Sequence, residues 1–282
     1  NDYLNSKLHL FKKLLNKNSN IITDLNIPQY KKIKLIALKK KSNLKTISDK
    51  YGDLSIISHK YDGEKQLVKI KYKKKIYKFE LNLIGKIQLK NVLFSMIASN
   101  LSNISFENIV NSTHKIKPVY GRLEKVGSIK NNSLVILDYA HTPDALKNCL
   151  QNIKNQFENK SISIVFGCGG DRDKFKRPSM GKIANEYCDR IYLTDDNPRN
   201  EDPKEIRKSI SKKINKSKLY DIPNRAKAID QAIQDLSTGE ILVVAGKGHE
   251  KVQDYGKYKN FFSDKYCILK YIKIKNKQLN KD

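Results

Sequence analysis

Four short apolar segments in the second half of the chain are each followed by residues that could do chemistry. The first runs into DYAH, the second into GCGGDRDK, the third into DDNPR and the fourth into GKGHE. Taken singly these residues have structural explanations, since Asp138 could cap a helix, the glycines and Asn197-Pro198 could form turns, and His249 could be a satisfied polar group. Taken together, at the ends of successive segments, they predict one ligand site.

The charges of these residues limit the ligand. Arg172 and Arg199 are suited to hold a carboxylate or a phosphate group, whereas Asp196 and Glu250 attract an ammonium group. Charges of both signs favour a zwitterion such as an amino acid. Neither glycine-rich segment matches Gly-x-x-x-x-Gly-Lys-[Ser/Thr] or Gly-x-Gly-x-x-Gly, so these residues by themselves do not predict ATP binding.

Alternating strands and helices must position these residues. From about residue 133 the strand candidates SLVIL, SISIVF, RIYLT and EILVV are separated by amphipathic helices. The helix start signals are Thr142-Pro143, Asp202-Pro203, Asn224 and Ser263-Asp264. The pattern predicts a doubly wound α/β domain, in which the carboxyl ends of parallel strands share one edge. The terminal KIKNKQLNKD is interpreted as a solvated tail.

Residues 1–121 follow a different pattern. A helix opens the chain, SNIIT and KLIAL are strand candidates, and QLVKIKYKKKIYKFELNLIG alternates as antiparallel strands do. Helices are predicted over NVLFSMIASNL and over SFENIVNSTHKI, the second behind a cap at Ser105.

Composition bounds the class of protein. A chain of 282 residues that is 39% hydrophobic can form a real core, which excludes wholesale disorder. The net charge of +27 invites a polyanionic partner, but the lysines are scattered along the chain, which favours a compositional bias. Four separated cysteines predict reduced thiols in a cytoplasmic protein, and no apolar run reaches the roughly 20 residues of a membrane span.

Five segments, in this order, resemble the Mur ligases. The resemblance implies that residues 122–282 form the C-terminal, Rossmann-like, amino-acid-binding domain. It implies less strongly, through NDYLNSKLHLF and IGKIQLKN, that residues 1–121 form the later part of the central ATP-binding domain. The family's UDP-sugar-binding domain and phosphate loop are absent from this sequence, so we expect a fragment that is inactive by itself. The five segments are GRLE (121–124), VILDYAHTPDAL (135–146), FGCGGDRDKFKRPSMG (166–181), TDDNPR (194–199) and AGKGHE (245–250).

The resemblance also implies an activity. It is to the Mur ligases that add the third amino acid to UDP-N-acetylmuramoyl-L-alanyl-D-glutamate in peptidoglycan synthesis, and so serve cell-wall growth, cell shape and division. These ligases use ATP and Mg²⁺ and form the amide through an acyl phosphate. DNPR implies that the incoming amino acid is meso-2,6-diaminopimelate, because lysine-adding ligases typically lack that arginine. No nucleic-acid or membrane partner is implied, and we expect a monomer.

Individual residues match positions of known role in the family. Lys7 matches the lysine that the family carbamylates so that it can hold a magnesium ion. Asn91 matches an adenine-contacting asparagine, with Gln88 in place of the first Asn of that pattern. Arg122 and Asp138 match positions close to the phosphates and ribose of ATP. The matches to the diaminopimelate pocket are Arg172, Asp196, Asn197, Pro198, Arg199, Gly246 and Glu250.

Other interpretations remain open. The chain could belong to a lysine-adding ligase of the same family, to a basic nucleic-acid-binding protein, or to an amino-acid-binding module without catalysis. Lys7 could be an ordinary exposed helical lysine. Arg199 could do no more than pair with its neighbours Asp195 or Glu201.

Overall fold

The computed structural model describes residues 2–280, and the chain passes from one compact unit to a second between Lys117 and Pro118. The boundary predicted after residue 121 lies slightly further along the chain. Residues 1 and 281–282 lie outside the described residues, so the outer ends of the two predicted domains are not described. Within residues 2–280, no helix combines the length and the apolar character that a bilayer crossing requires.

The first unit is built on a five-stranded mixed sheet in the order β1-β2-β3-β4-β5. The first three strands are parallel, and β3, β4 and β5 are antiparallel. The alternation in QLVKIKYKKKIYKFEL forms the β4–β5 hairpin, as predicted. The strands are β1 (Asn20–Asp24), β2 (Asn43–Ser48), β3 (Leu54–Asp62), β4 (Lys65–Tyr72) and β5 (Lys75–Leu81).

Four helices pack on this sheet through two apolar clusters. One cluster joins α1 and α2 to Ile21 of β1, and the other joins α3 and α4 to strands β2 to β5. The predicted cap of α4 is confirmed, since the Ser105 hydroxyl accepts a hydrogen bond from the Asn108 N–H at 3.3 Å. The helices are α1 (Asp2–His9), which continues as a π-helical turn (Leu10–Leu14), α2 (Tyr30–Lys39), α3 (Lys86–Leu101) and α4 (Phe106–Asn111).

The strand predicted over KLIAL is wrong, because this segment lies within α2. Ile33 and Ala37, four residues apart, are the buried residues of that helix, while Leu35 and Leu38 are 59% and 66% exposed. Burial therefore follows the helical period and not the strand period, a distinction that a short apolar run does not reveal.

The second unit is the predicted doubly wound α/β domain. Its six-stranded sheet has the order β10-β9-β8-β11-β7-β6, in which only β6 is antiparallel to its neighbour. The strand β11 returns to lie between β7 and β8, so the loops that follow β7, β11, β8 and β9 are neighbours at one edge. The strands are β6 (Glu124–Ser128), β7 (Leu134–Asp138), β8 (Ile162–Phe166), β9 (Arg190–Leu193), β10 (Leu219–Asp221) and β11 (Ile241–Ala245).

Helices cover both faces of this sheet. Helix α6 packs between α5 and α7, while α8 and α9 pack together on an apolar cluster that includes residues of the strands. The side chains of Thr142, Asp202, Asn224 and Ser263 cap α5, α7, α8 and α9, as predicted. A small hairpin, β12 (Val252–Asp254) and β13 (Lys259–Phe261), follows β11. The helices are α5 (Pro143–Gln156), α6 (Lys176–Tyr187), α7 (Pro203–Ser211), α8 (Arg225–Gln234) and α9 (Asp264–Gln278).

The interpretation of KIKNKQLNKD as a solvated tail is wrong for its first part, which belongs to α9. Lys275 donates to the Gln234 carbonyl at 3.1 Å, and Asn276 accepts from the Lys130 N–H at 2.9 Å. The long polar side chains of this segment thus fasten the helix to two other parts of the unit. The last two residues of the predicted tail lie outside the described residues.

An ion pair ties the loop after β9 to α6. Both guanidinium ends of Arg177 donate to Glu201, at 3.0 and 2.9 Å, and Glu201 also accepts from the Asp171 N–H at 2.7 Å. The hydrogen bonds from Arg177, reinforced by those from Asp171 and Lys174, outweigh the effect of burial and lower the pKa of Glu201 to about 2. The carboxylate holds two loops of the site edge together.

Replacing Glu201 with Gln should lower the melting temperature of the protein near neutral pH. A depressed pKa contributes stability that is present above the ordinary value of 4.5 and is lost as the pH falls towards 2. Melting curves of the wild type and of Glu201→Gln should therefore converge over that interval. Glu205→Gln, an exposed acid on α7 whose pair with Lys208 is also exposed, is the matched control. A loss of stability in the control as large as that of Glu201→Gln would contradict the prediction.

Candidate active site

A cavity of about 760 Å³ lies at the carboxyl edge of the parallel sheet in the second unit. The loops after β7, β8, β9 and β11 line it, as the sequence predicted for the ends of parallel strands. The predicted diaminopimelate-binding residues that it brings together are Arg172, Asp196, Asn197, Arg199, Gly246 and Glu250.

Two glycines allow the loops to approach this closely. A Cβ atom on Gly170 would lie 1.8 Å from the carbonyl oxygen of Pro198, and a Cβ atom on Gly246, whose φ is +112°, would lie 2.8 Å from Oδ2 of Asp196. Any larger residue would push the loop after β9 away from its neighbours. Pro198 is itself buried and does not line the cavity, so it belongs to the support of the site.

The two arginines predicted to bind an anion differ in their surroundings. Arg172 is exposed, with one guanidinium nitrogen donating to the Asp171 carbonyl at 3.2 Å. Arg199 is half-buried, and its Nη1 donates to the Gly170 carbonyl at 2.7 Å. The acids considered as alternative partners of Arg199 are held elsewhere, because Asp195 pairs with Arg207 and Glu201 pairs with Arg177. The structure thus shows Arg199 bound to a backbone carbonyl and not to those acids.

A buried lysine organises the acidic side of the cavity. The ammonium group of Lys247 is fully buried and donates to Asn197 at 2.8 Å, to Glu250 at 3.1 Å and to the Val252 carbonyl at 2.7 Å. Burial opposes ionisation of Glu250, but the hydrogen bond from Asn197 and the charge of Lys247 outweigh it and lower the pKa of Glu250. Sequence reasoning gave Lys247 no role, although its place in AGKGHE beside Glu250 was the available signal.

Asp138 supports a turn and does not cap a helix. Its Oδ2 accepts from the Leu123 N–H at 2.7 Å and its Oδ1 from the Ala140 N–H at 2.8 Å. Burial raises the pKa of Asp138, and the two backbone hydrogen bonds oppose part of that rise. The predicted ATP-binding residue Arg122 lies nearby, with its guanidinium carbon 4.7 Å from the ring centroid of Tyr139.

Tyr139 connects this turn to the histidines of the edge. Its ring centroid lies 4.6 Å from that of His141 and 5.2 Å from that of His249, and both histidines are exposed. Tyr139 and His141 also line the cavity. The sequence placed these residues at the edge but did not predict that the tyrosine would lie between the two imidazoles and the guanidinium group.

Two predicted site residues belong to the first unit. Lys7 is exposed on α1, with its ammonium nitrogen 5.4 Å from the ring centroid of Tyr3. Asn91 is exposed on α3, and its side-chain amide donates to Gln88 at 3.4 Å. Gln88, which departs from the family pattern, therefore contacts Asn91, which matches it.

The described residues do not by themselves supply a magnesium site. Magnesium takes oxygen ligands, whereas the side chain of an unmodified lysine ends in an ammonium group. Within residues 2–280, no group of three or more His, Cys, Asp or Glu side chains is arranged to hold a metal ion.

Comparison with known proteins gives the same family over both units. The model of the Mur ligase middle domain matches residues 1–99, and the model of the Mur ligase glutamate ligase domain matches residues 121–248. A relative from Rickettsia montanensis, named UDP-N-acetylmuramoyl-L-alanyl-D-glutamate--2,6-diaminopimelate ligase, is 38% identical over 275 residues. That match covers 97% of this chain and 56% of the relative. A ligase of the same name from Chelativorans sp. (strain BNC1) is 36% identical over 93% of this chain and 54% of its own length.

Solved structures agree with the sequence matches. A structure titled as a UDP-N-acetylmuramoyl-L-alanyl-D-glutamate--2,6-diaminopimelate ligase has a TM-score of 0.68 and 28% identity, covering 96% of this chain and 56% of that one. A MurF ligase from Thermotoga maritima in complex with ADP has a TM-score of 0.68 at 15% identity, over 98% of this chain and 58% of that one, and shows the fold alone. The chain thus spans about half the length of the proteins it matches. Because the two domain models and the relatives agree across both units, the chain belongs to the Mur ligase family.

Proposed function

We propose that this chain is the ATP-handling and amino-acid-binding part of a ligase that adds meso-2,6-diaminopimelate to UDP-N-acetylmuramoyl-L-alanyl-D-glutamate. The observation that carries the proposal is the cavity of about 760 Å³, which gathers Arg172 and Arg199 with Asp196 and Glu250. Relatives that are 36–38% identical carry the name of that ligase.

The cavity fits the chemistry of diaminopimelate. This amino acid carries an ammonium and a carboxylate group at each end, so it needs cationic and anionic contacts at separated points. Arg199 offers a planar guanidinium group that can bind a carboxylate through two hydrogen bonds, and its Nη1 is already oriented by the Gly170 carbonyl. Lysine has no carboxylate at its far end, so the same arginine would have no such partner in a lysine-adding enzyme.

In this proposal the amide forms through an acyl phosphate made with ATP. Asn91 contacts the adenine, and Arg122 and Asp138 lie close to the phosphates and ribose. The chain's own contribution is to hold the incoming amino acid in place, so that its amine attacks the acyl phosphate and forms the amide as inorganic phosphate leaves. The 282 residues contain no phosphate loop, so we propose that they neither hydrolyse ATP nor form the product alone.

The remaining parts of the proposal follow from the family. If Lys7 is carbamylated, two carbamate oxygens replace its ammonium group, and these oxygens would hold the magnesium ion that would assist the reaction. We propose further that the protein is a cytoplasmic monomer serving cell-wall synthesis, cell shape and division. Its partners are the UDP-N-acetylmuramoyl dipeptide, meso-diaminopimelate and ATP, with no nucleic acid and no membrane.

Replacing Arg199 with Ala in the full-length enzyme should lower kcat/KM for meso-diaminopimelate far more than kcat/KM for L-lysine. Loss of one partner of a charge-assisted contact in a partly desolvated site costs roughly 2–5 kcal/mol, or about 30-fold to several thousand-fold. Steady-state kinetics with both amino acids measure the ratio.

Arg172→Ala is the contrasting variant. If Arg172 binds the carboxylate that both amino acids share, this change should lower kcat/KM for both by similar factors. A wild-type preference for L-lysine would overturn the substrate assignment. An equal loss with both amino acids in Arg199→Ala would show that Arg199 does not select the distal carboxylate.

Replacing Lys7 with Ala in the full-length enzyme should abolish ligase activity, because Ala cannot carry the carbamate that supplies metal-binding oxygens. Added short carboxylic acids should restore part of the activity by supplying those oxygens. Lys12→Ala, at another exposed lysine of the same helical region, is the control and should stay active. Near-normal turnover by Lys7→Ala would remove the assignment.

A further inference from the structure

Arg225, the first residue of α8, is a buried cation beneath the cavity. Its Nε and Nη2 donate to the two carboxylate oxygens of Asp264, each at 2.7 Å, and Nη2 also donates to the Ala245 carbonyl at 2.9 Å. The side chains of Arg225 and Asp264 are both 0% exposed. The guanidinium plane is therefore fixed by the start of α9 and the end of β11.

The remaining nitrogen of this guanidinium group faces Asp196. Among the described residues, Nη1 of Arg225 has no hydrogen-bond partner, although it is buried. Oδ2 of Asp196 lies 4.0 Å from it. The hydrogen bonds of Nε and Nη2 already hold Arg225 in place. They do not explain why Nη1 is directed towards Asp196, a residue of the cavity.

The charges of this group leave Asp196 available to a ligand. Arg225 is neutralised by Asp264, so the three side chains Asp196, Arg225 and Asp264 together carry one excess negative charge. The other acid matched to the amino-acid pocket differs, because Glu250 is paired with the buried ammonium group of Lys247 at 3.1 Å. Of these two acids, Asp196, whose side chain is 11% exposed, therefore carries the negative charge that a cationic group of the ligand can neutralise.

We propose that Arg225, held by Asp264, is a positioning residue that orients Asp196 to receive an ammonium group of the incoming amino acid. The proposal rests on the proposed function for its substrate. Arg225 does not line the cavity and acts only through Asp196. The absence of a Cβ atom at position 246 completes the arrangement, because it lets the Asp196 carboxylate lie against the backbone at the end of β11.

The test is a double-mutant cycle in the full-length ligase with Arg225→Lys and Asp196→Asn. Arg225→Lys keeps the charge but cannot bind Asp264 and face Asp196 at once. It should raise KM for the amino acid roughly tenfold, which is within the range of coupling energies between residues of one ion-pair network. The KM for ATP and kcat should stay within about twofold, because the positioning acts on one substrate. In the Asp196→Asn background, Arg225→Lys should cause no further rise in KM for the amino acid.

Asp264→Asn is the second variant, and it serves if Arg225→Lys folds poorly. It leaves the charge of Arg225 uncompensated beside Asp196, which cancels the excess negative charge. It should likewise raise KM for the amino acid only when Asp196 is present. Thermal melting of every variant shows which of them fold.

Arg207→Lys is the matched control, because Arg207 is a buried arginine that supports the same loop through Asp195. Its effect on KM should add to that of Asp196→Asn. Wild-type kinetics with meso-diaminopimelate and with L-lysine test the proposed function separately. The double-mutant cycle is then run with the amino acid that the wild-type enzyme prefers. Additive effects of Arg225→Lys and Asp196→Asn, or a fall in kcat with KM unchanged, would overturn the positioning role.

Discussion

A charge buried at the edge of a protein sheet must find an opposite charge, and this requirement organises the second unit. Three buried cations near the carboxyl edge are matched by acids: Arg177 by Glu201 and Arg207 by Asp195, each from another segment, and Lys247 by Glu250 of the same loop. Leaving one partner alone in a dry site costs several kcal/mol, so the first two pairs fix which segments lie together. The cavity is the space that remains between loops fixed in this way.

Backbone contacts between loops make these pairings possible. Gly170 brings the loop after β8 against the loop after β9, and its N–H donates to the Asn197 carbonyl at 2.9 Å. Asn197 then accepts from both Lys247 and the Asp254 N–H, which brings in the segment after β11. Asn197, in the middle of DDNPR, thus joins three loops, so a displacement of one loop would also displace the other two.

Much of the second unit could be predicted because its signals are local. The caps at Thr142, Asp202, Asn224 and Ser263 and the largely apolar strands define the alternation without knowledge of the fold. Helix α6 carried no such signal, since Phe175 at its start provides no side-chain cap. In the first unit, β2 owes its place to parallel pairing with β1, which lies on the other side of α2 along the chain. The apolar residues of KLIAL fit both the helical and the strand period.

The site shows the same division between local and distant information. The residues around the cavity could be named because each follows a strand, but their partners could not, because Arg177, Arg207 and Arg225 lie on helices and not in the loops that carry the acids. Residue types in a loop therefore predict where a ligand binds. They do not predict which charges of that loop are already neutralised, and that distinction separates Asp196 from Glu250.

Arg199 also has a backbone conformation with a consequence for the evolution of the chain. Its φ is +52°, in the left-handed region. This conformation costs most residues about 1–2 kcal/mol of conformational free energy, and Gly or Asn adopts it more readily. Replacing Arg199 with Gly or Asn would thus lower the conformational cost at this position. The same replacement would remove the guanidinium group from the cavity. Selection for thermal stability and selection for ligand recognition pull in opposite directions at this residue.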